Sequence, residues 1–240
     1  MPLALELVLS PLLVAQALVT RARMPRLPEA EGPRQGEVGQ GPVLRLLVAG
    51  DSSAAGVGVG TQQQALAGPM ARHLAQAVGV RVHWQLVARS GLTTQQTLQW
   101  LRDEPPAPAD VAVVVTGVND IVERIPVARA VAARDAAATW LREVHGVRHV
   151  VFAPLPPVHR FPGLPQPLRW AAGSEARRHN AALARWAGTR GDVSCVDMDM
   201  SLEADAMASD GFHPGAPVYR YCAEAIAGHI AAQVWPGMSS

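Results

Sequence analysis

The sequence predicts a doubly wound α/β domain, a three-layer α/β/α sandwich around a mostly parallel, five-stranded sheet. Three observations carry this. From Val43 onward, apolar runs of strand length alternate with longer helix-like segments, the order that builds parallel sheets. The runs are continuous in Val and Leu rather than alternating with polar residues, as happens when helices cover both faces of a sheet. Finally, 240 residues at 49% hydrophobic and 17% charged are enough to bury one full core. Right-handed crossovers then bring all the parallel strand ends to one edge.

The first element is distinct from the rest. Pro2–Thr20 is apolar except for Glu6, Ser10 and Gln16, and Arg21, Arg23 and Arg26 follow it. A secretory signal carries its positive charge before the apolar stretch, so that reading fails. Two readings remain open: a span or membrane association through residues 2–20, with the arginines keeping the domain cytoplasmic, or a helix packed on the domain. Met24–Gly41, rich in Pro, Gly and Glu, reads as an irregular connector. Residues 1–41 are thus an apolar segment plus connector, and residues 42–240 are the folded domain.

Within the domain the expected strands are Leu44–Ala49, Val80–Val87, Val111–Thr116, Val147–Ala153 and Val193–Val196. The expected helices are Gln62–Val78, Thr93–Leu101, Val127–His145, Ser174–Gly188 and Pro217–Val234. Pro154–Gly173 is too rich in proline for a helix or a central strand and reads as an ordered loop after the fourth strand.

Four clusters of chemistry-bearing residues follow these strands. Gly50-Asp51-Ser52 ends the first strand, and Ser52 there has its hydroxyl at the carboxyl edge, where open α/β sheets bind ligands. Ser90-Gly91 follows the second, Gly91 allowing close approach to a backbone N–H. Gly117-Val118-Asn119-Asp120 follows the third, with Asn119 offering an amide donor. Asp210 and His213, three residues apart, lie beyond the fifth. Acyl transfer needs a nucleophile, a base, a carboxylate to hold the base, and donors for a developing oxyanion.

The four blocks in this order resemble the SGNH hydrolases, the GDSL-type esterase and lipase superfamily, over about Leu44 to Ala232. Ser53 stands where that pattern has Leu, so the first block departs from the namesake motif. Gly91 matches the second block, Gly117–Asp120 the third and Asp210–His213 the last. The resemblance implies a flavodoxin-like sandwich and an ester hydrolase with Ser52 as nucleophile, His213 as base and Asp210 as its orienting partner. It further implies an oxyanion hole from the Ser52 and Gly91 N–H groups and the Asn119 amide, and no metal or organic cofactor. Acyl or lipid-like esters are the favoured substrates. Thioesters and acetylated sugars stay open, as does a non-catalytic, membrane-tethered binding protein on the same scaffold.

Other classes fit less well. All 21 basic residues are arginine, which removes a Walker-type phosphate loop and any Schiff-base lysine. No basic stripe with interleaved aromatics points to nucleic acid. Gly56–Thr61 misses the dinucleotide fingerprint at Thr61, and Ala54 breaks the G-x-S-x-G elbow. Gly146 interrupts the His145–His149 pair, which argues against zinc. Cys195 and Cys222 lack metal spacing and are expected as free thiols.

Overall fold

The computed structural model describes residues 3–200 and 204–238. Its elements run α1 (Leu3–Arg23), β1 (Gln35–Val38), β2 (Val43–Gly50), α2 (Ser52–Ala55), α3 (Ala67–Val78), β3 (Arg81–Ala88), α4 (Thr94–Asp103), β4 (Val111–Val115), α5 (Val118–Val122), α6 (Val127–His145), β5 (His149–Phe152), α7 (Leu168–Ala187), β6 (Val193–Cys195) and α8 (Ala216–His229). The sheet has six strands in the order β1-β3-β2-β4-β5-β6, and every neighbouring pair is parallel except β1 with β3. All five expected strands are present, and their order is that of a flavodoxin-like sheet.

The sixth strand, β1, corrects the expected five-stranded count and lies inside the stretch expected as an irregular connector. Its sequence, Gln-Gly-Glu-Val, carries no apolar run because β1 is a largely exposed edge strand. Only pairing with β3 makes it a strand.

Central strands bury both faces, which explains their continuous apolar character. On β2, Leu46 and Val48 pack with α3 and α8 residues such as Met70, Leu74 and Ile226. Leu47 and Ala49, pointing the other way, pack with Leu101, Leu141 and Leu183 from α4, α6 and α7. A smaller apolar cluster, with Leu155, Phe161, Leu164 and Met207, lies under the proline-rich loop.

Three helix boundaries differ from expectation. α3 begins at Ala67 rather than Gln62, because Gln62 is buried and its side-chain amide donates to the Ala30 and Ala55 carbonyls at 3.1 and 3.0 Å. That use of the side chain holds residues 62–66 in turns. α7 begins at Leu168, inside the expected loop, because Pro167 sits just before the first turn, where a missing N–H is harmless. α8 ends at His229 and widens into a π-helical turn over Ile230–Val234.

The register of the central strands levels their ends. Gly50 of β2 pairs with Ala88 of β3 and with Val115 of β4. Residues 51, 89–91 and 116–117 therefore leave the sheet side by side. α1 lies at this edge as well: the Gln16 side chain donates to the Gln166 carbonyl at 2.8 Å and accepts from the Leu168 N–H at 3.1 Å. No helix among the described residues is long and apolar enough to cross a membrane.

Candidate active site

Ser52 is the first residue of α2, a single turn launched directly from the end of β2. Asp51 caps it, accepting the Ser53 N–H on Oδ1 at 3.0 Å, and Gly56 closes it in the left-handed conformation at φ 85°. As the opening residue, Ser52 has an N–H with no intrahelical acceptor. Such a turn is too short for helical periodicity, which is why the sequence shows it only as a run of small residues.

The 210–213 turn comes to Ser52 through two close contacts. The Tyr219 hydroxyl, at the start of α8, donates to the Val57 carbonyl at 2.7 Å. Gly58 sits so near the Pro214 carbonyl that a Cβ would lie 2.2 Å from its oxygen, so only glycine fits there. This close approach accounts for Gly58, and the left-handed cap of α2 for Gly56, without a phosphate loop.

The side chains then align. Ser52 Oγ is 3.0 Å from His213 Nε2, and His213 Nδ1 is 2.6 Å from Asp210 Oδ2. The other oxygen, Oδ1, accepts the backbone N–H groups of Phe212 and His213, both at 2.9 Å. An ionised carboxylate only accepts, so Nδ1 carries the ring proton and Nε2 is left to accept from the Ser52 hydroxyl. Burial pushes the Asp210 carboxyl up, but the His213 side chain and the two N–H groups outweigh it and hold it below the ordinary carboxylate range. Phe212 stacks edge-on against both Phe161 and the His213 ring, which fixes the imidazole from its far side.

Asn119, on the short helix α5, faces the same edge, its amide donating to the Leu92 carbonyl at 3.0 Å and more weakly to Asp51 Oδ2 at 3.4 Å. Gly91, at φ 84°, turns the chain between β3 and α4, and nothing lies within 4 Å of where its Cβ would be. That leaves room for a ligand atom at its backbone. Four of the five residues singled out from sequence are joined to one another or to Asp51, while Gly91 forms the adjoining wall.

Beneath these residues lies a polar network that sequence reasoning found only in part. Asp120 accepts the Thr94 N–H at 2.8 Å and hydroxyl at 2.6 Å. Arg134 of α6, wholly buried, reaches Asp120 Oδ2 at 3.5 Å. A signal for it exists, because Arg134 falls in the buried stripe Ala130, Arg134, Ala137, Ala138 and Leu141 of α6. Asp51 itself is buried, and that burial, with the nearby Asp120 charge, lifts its carboxyl from 3.8 to about 7 against three donors.

The connector also takes part. Glu29 Oε1 accepts both the N–H and the hydroxyl of Ser90 at 2.7 Å. Arg34, paired with Glu29, donates to the Ala88 carbonyl at 2.7 Å.

The weaker motifs do not assemble into sites. His145 packs on the Trp140 ring, while His149 is bonded to Ser194 instead. Cys195 and Cys222 are free.

Residues 48–221 match the model of the GDSL-like Lipase/Acylhydrolase family. The chain belongs to that family. A GDSL-like esterase of Mycobacterium tuberculosis is 28% identical over 237 residues, covering 89% of this chain and 74% of that protein. A lipase from a goat-rumen metagenome matches in structure with a TM-score of 0.61 at 20% identity, over 79% of this chain and 97% of its own. A family 3 carbohydrate esterase of Clostridium thermocellum gives 0.62 at 16% identity, over 82% and 100%. These structures establish the fold, and the family makes this GDSL-type chain an esterase or lipase at the level of the superfamily.

Proposed function

We propose that the protein hydrolyses carboxylic esters through an acyl-enzyme formed on Ser52. The observation that carries the reading is the unbroken line from Ser52 Oγ through the His213 ring to Asp210, at 3.0 and 2.6 Å. His213 Nε2 takes the hydroxyl proton as Oγ attacks the ester carbonyl. Asp210 holds the ring in the tautomer that leaves Nε2 free and stabilises the imidazolium that forms. The negative charge on the former carbonyl oxygen is met by the N–H groups of Ser52 and Gly91 and by the Asn119 amide. His213 then protonates the departing alcohol. Water, deprotonated by the same nitrogen, attacks the acyl-enzyme and releases the acid and Ser52.

Acyl or lipid-like esters are the favoured substrate class, supported by the apolar loop Phe161–Leu168 and the apolar α1 beside the site. Similarity to a carbohydrate esterase keeps acetylated sugars as the second class. A fluorophosphonate probe tests the chemistry: the protein should be labelled once, and Ser52→Ala should abolish labelling while the circular dichroism spectrum persists. Labelling that survives the substitution, or that maps to Ser53, removes Ser52 from the mechanism. An ester panel of rising chain length, with an acetylated sugar included, then assigns the substrate class.

A further inference from the structure

Between Leu12 and Val19 the outer face of α1 is apolar and exposed. Leu13, Gln16 and Thr20 recur at helical spacing on the side turned to the domain, where Leu13 is buried and Gln16 makes its two bonds to the loop before α7. Val14 and Leu18 lie on the opposite side, with Leu12 and Val19 on its flank. These four are 41, 65, 47 and 48% exposed, respectively.

Among the described residues, nine large hydrophobic side chains are exposed, and four of them are these. Two more adjoin α1. Val122 precedes Glu123, which pairs with Arg21 at 3.6 Å, and Trp170 follows closely on Leu168, which bonds Gln16. The exposed apolar face thus runs along α1, and α5 and α7, which carry Val122 and Trp170, are tied to that helix by these two contacts. Arg21, Arg23 and Arg26 are exposed at its C-terminal end. Below the helix lies a cavity of about 500 Å³ lined by Ala15, Val19, Met24, Gly163, Pro165 and Asp210. Its floor is therefore the loop that supports the Asp210–His213 turn, Gly163 donating to the Gly211 carbonyl at 2.9 Å.

We propose that the outer face of α1 docks the protein on an anionic lipid surface with the Ser52 edge turned toward it. Apolar side chains concentrated on one contiguous face are unusual on a soluble monomer. In the plane of a bilayer interface such a face would set its apolar residues below the headgroups and the arginines at its end on lipid phosphates. Gln16 holds α1 lengthwise against the domain, which suits lying on the surface rather than crossing it. The cavity under α1 then opens beside the lipid, where an acyl chain leaving the surface would meet it. Docking does not depend on the Ser52 chemistry, so the two readings fail separately.

The test is co-sedimentation of the full chain with vesicles of phosphatidylcholine containing phosphatidylglycerol, and with vesicles of phosphatidylcholine alone. The wild-type chain is expected to sediment with the anionic vesicles and markedly less with the neutral ones. Val14→Glu/Leu18→Glu replaces two exposed residues and should lower binding at least tenfold. Its fold is checked by circular dichroism, and its hydrolysis of a short, water-soluble ester should equal that of wild type. Arg23→Gln/Arg26→Gln should weaken binding to anionic vesicles only. Fluorophosphonate labelling read on the same samples keeps the Ser52 reading separate. Wild-type protein left in the supernatant with both vesicle types overturns the proposal, as does equal binding by Val14→Glu/Leu18→Glu. A wild-type dimer without lipid that this variant converts to monomer assigns the face to a second copy of the chain and overturns it equally.

Discussion

Asp51→Asn is expected to raise the stability of the fold above neutral pH while slowing catalysis. Asp51 is 2% exposed, and burial, reinforced by Asp120, lifts its carboxyl from 3.8 to about 7. Between those two values the native chain keeps a proton that the unfolded chain has released. Stability attributable to this group therefore falls as pH rises through that window and is fully lost above about 7. From about pH 5 to about pH 8 the loss is roughly two pH units at about 1.4 kcal/mol each, so roughly 3 kcal/mol. An amide does not titrate, and the variant should lack that slope. Its carbonyl oxygen keeps the Ser53 N–H, but its NH₂ group confronts the Asn119 amide, donor against donor. That displaces Asn119 and should lower kcat by up to about 10². Urea unfolding of both proteins across this pH range reads the first effect, and steady-state kinetics read the second. Parallel stability curves for the two proteins would refute the argument, because they would mean that Asp51 titrates alike in the native and unfolded chains.

Asn119→Ala should lower kcat by about 10²–10³ with KM nearly unchanged, since its donor acts on charge that develops in the transition state; a change confined to KM in steady-state assays would assign the amide to substrate binding. Asp210→Asn should cost up to about 10⁴ in kcat, because the tautomer that leaves Nε2 free is no longer favoured. Asp210 is held below the ordinary carboxylate range, so its stabilisation is present above that range and is lost as pH falls through its folded value. Acid unfolding of the variant should lack this component. Arg134→Met leaves Asp120 buried without its cation and should destabilise by about 3–5 kcal/mol in thermal unfolding, with part of that recovered when Asp120→Asn is added.

The sheet was legible because its central strands obey one simple rule: both faces buried, hence unbroken Val and Leu. The residues that gather around Ser52 were legible because parallel strands end together, so short polar clusters after each strand become neighbours. What escaped was stabilised by partners far away in the chain. β1 is a strand only through β3, and residues 62–66 are turns only because Gln62 reaches Ala30 and Ala55. Arg134 looks like any surface arginine until its place in the buried stripe of α6 is noticed. Glu29 sits in a segment with no periodic signal at all.

That last residue bears on how the protein can be cut. The obvious way to remove an apolar N-terminal helix is to start the chain at Gly41, where the domain's first central strand is about to begin. Such a truncation would also discard Glu29, which holds Ser90 through two bonds, and Arg34, which holds the Ala88 carbonyl. It would strip β1 from β3 and expose that strand's unpaired edge to other chains. The turn presenting Gly91 would lose its anchor, so a shortened protein that proved inactive would say nothing about α1. Only a cut between Arg23 and Glu29 separates the helix from the machinery it adjoins.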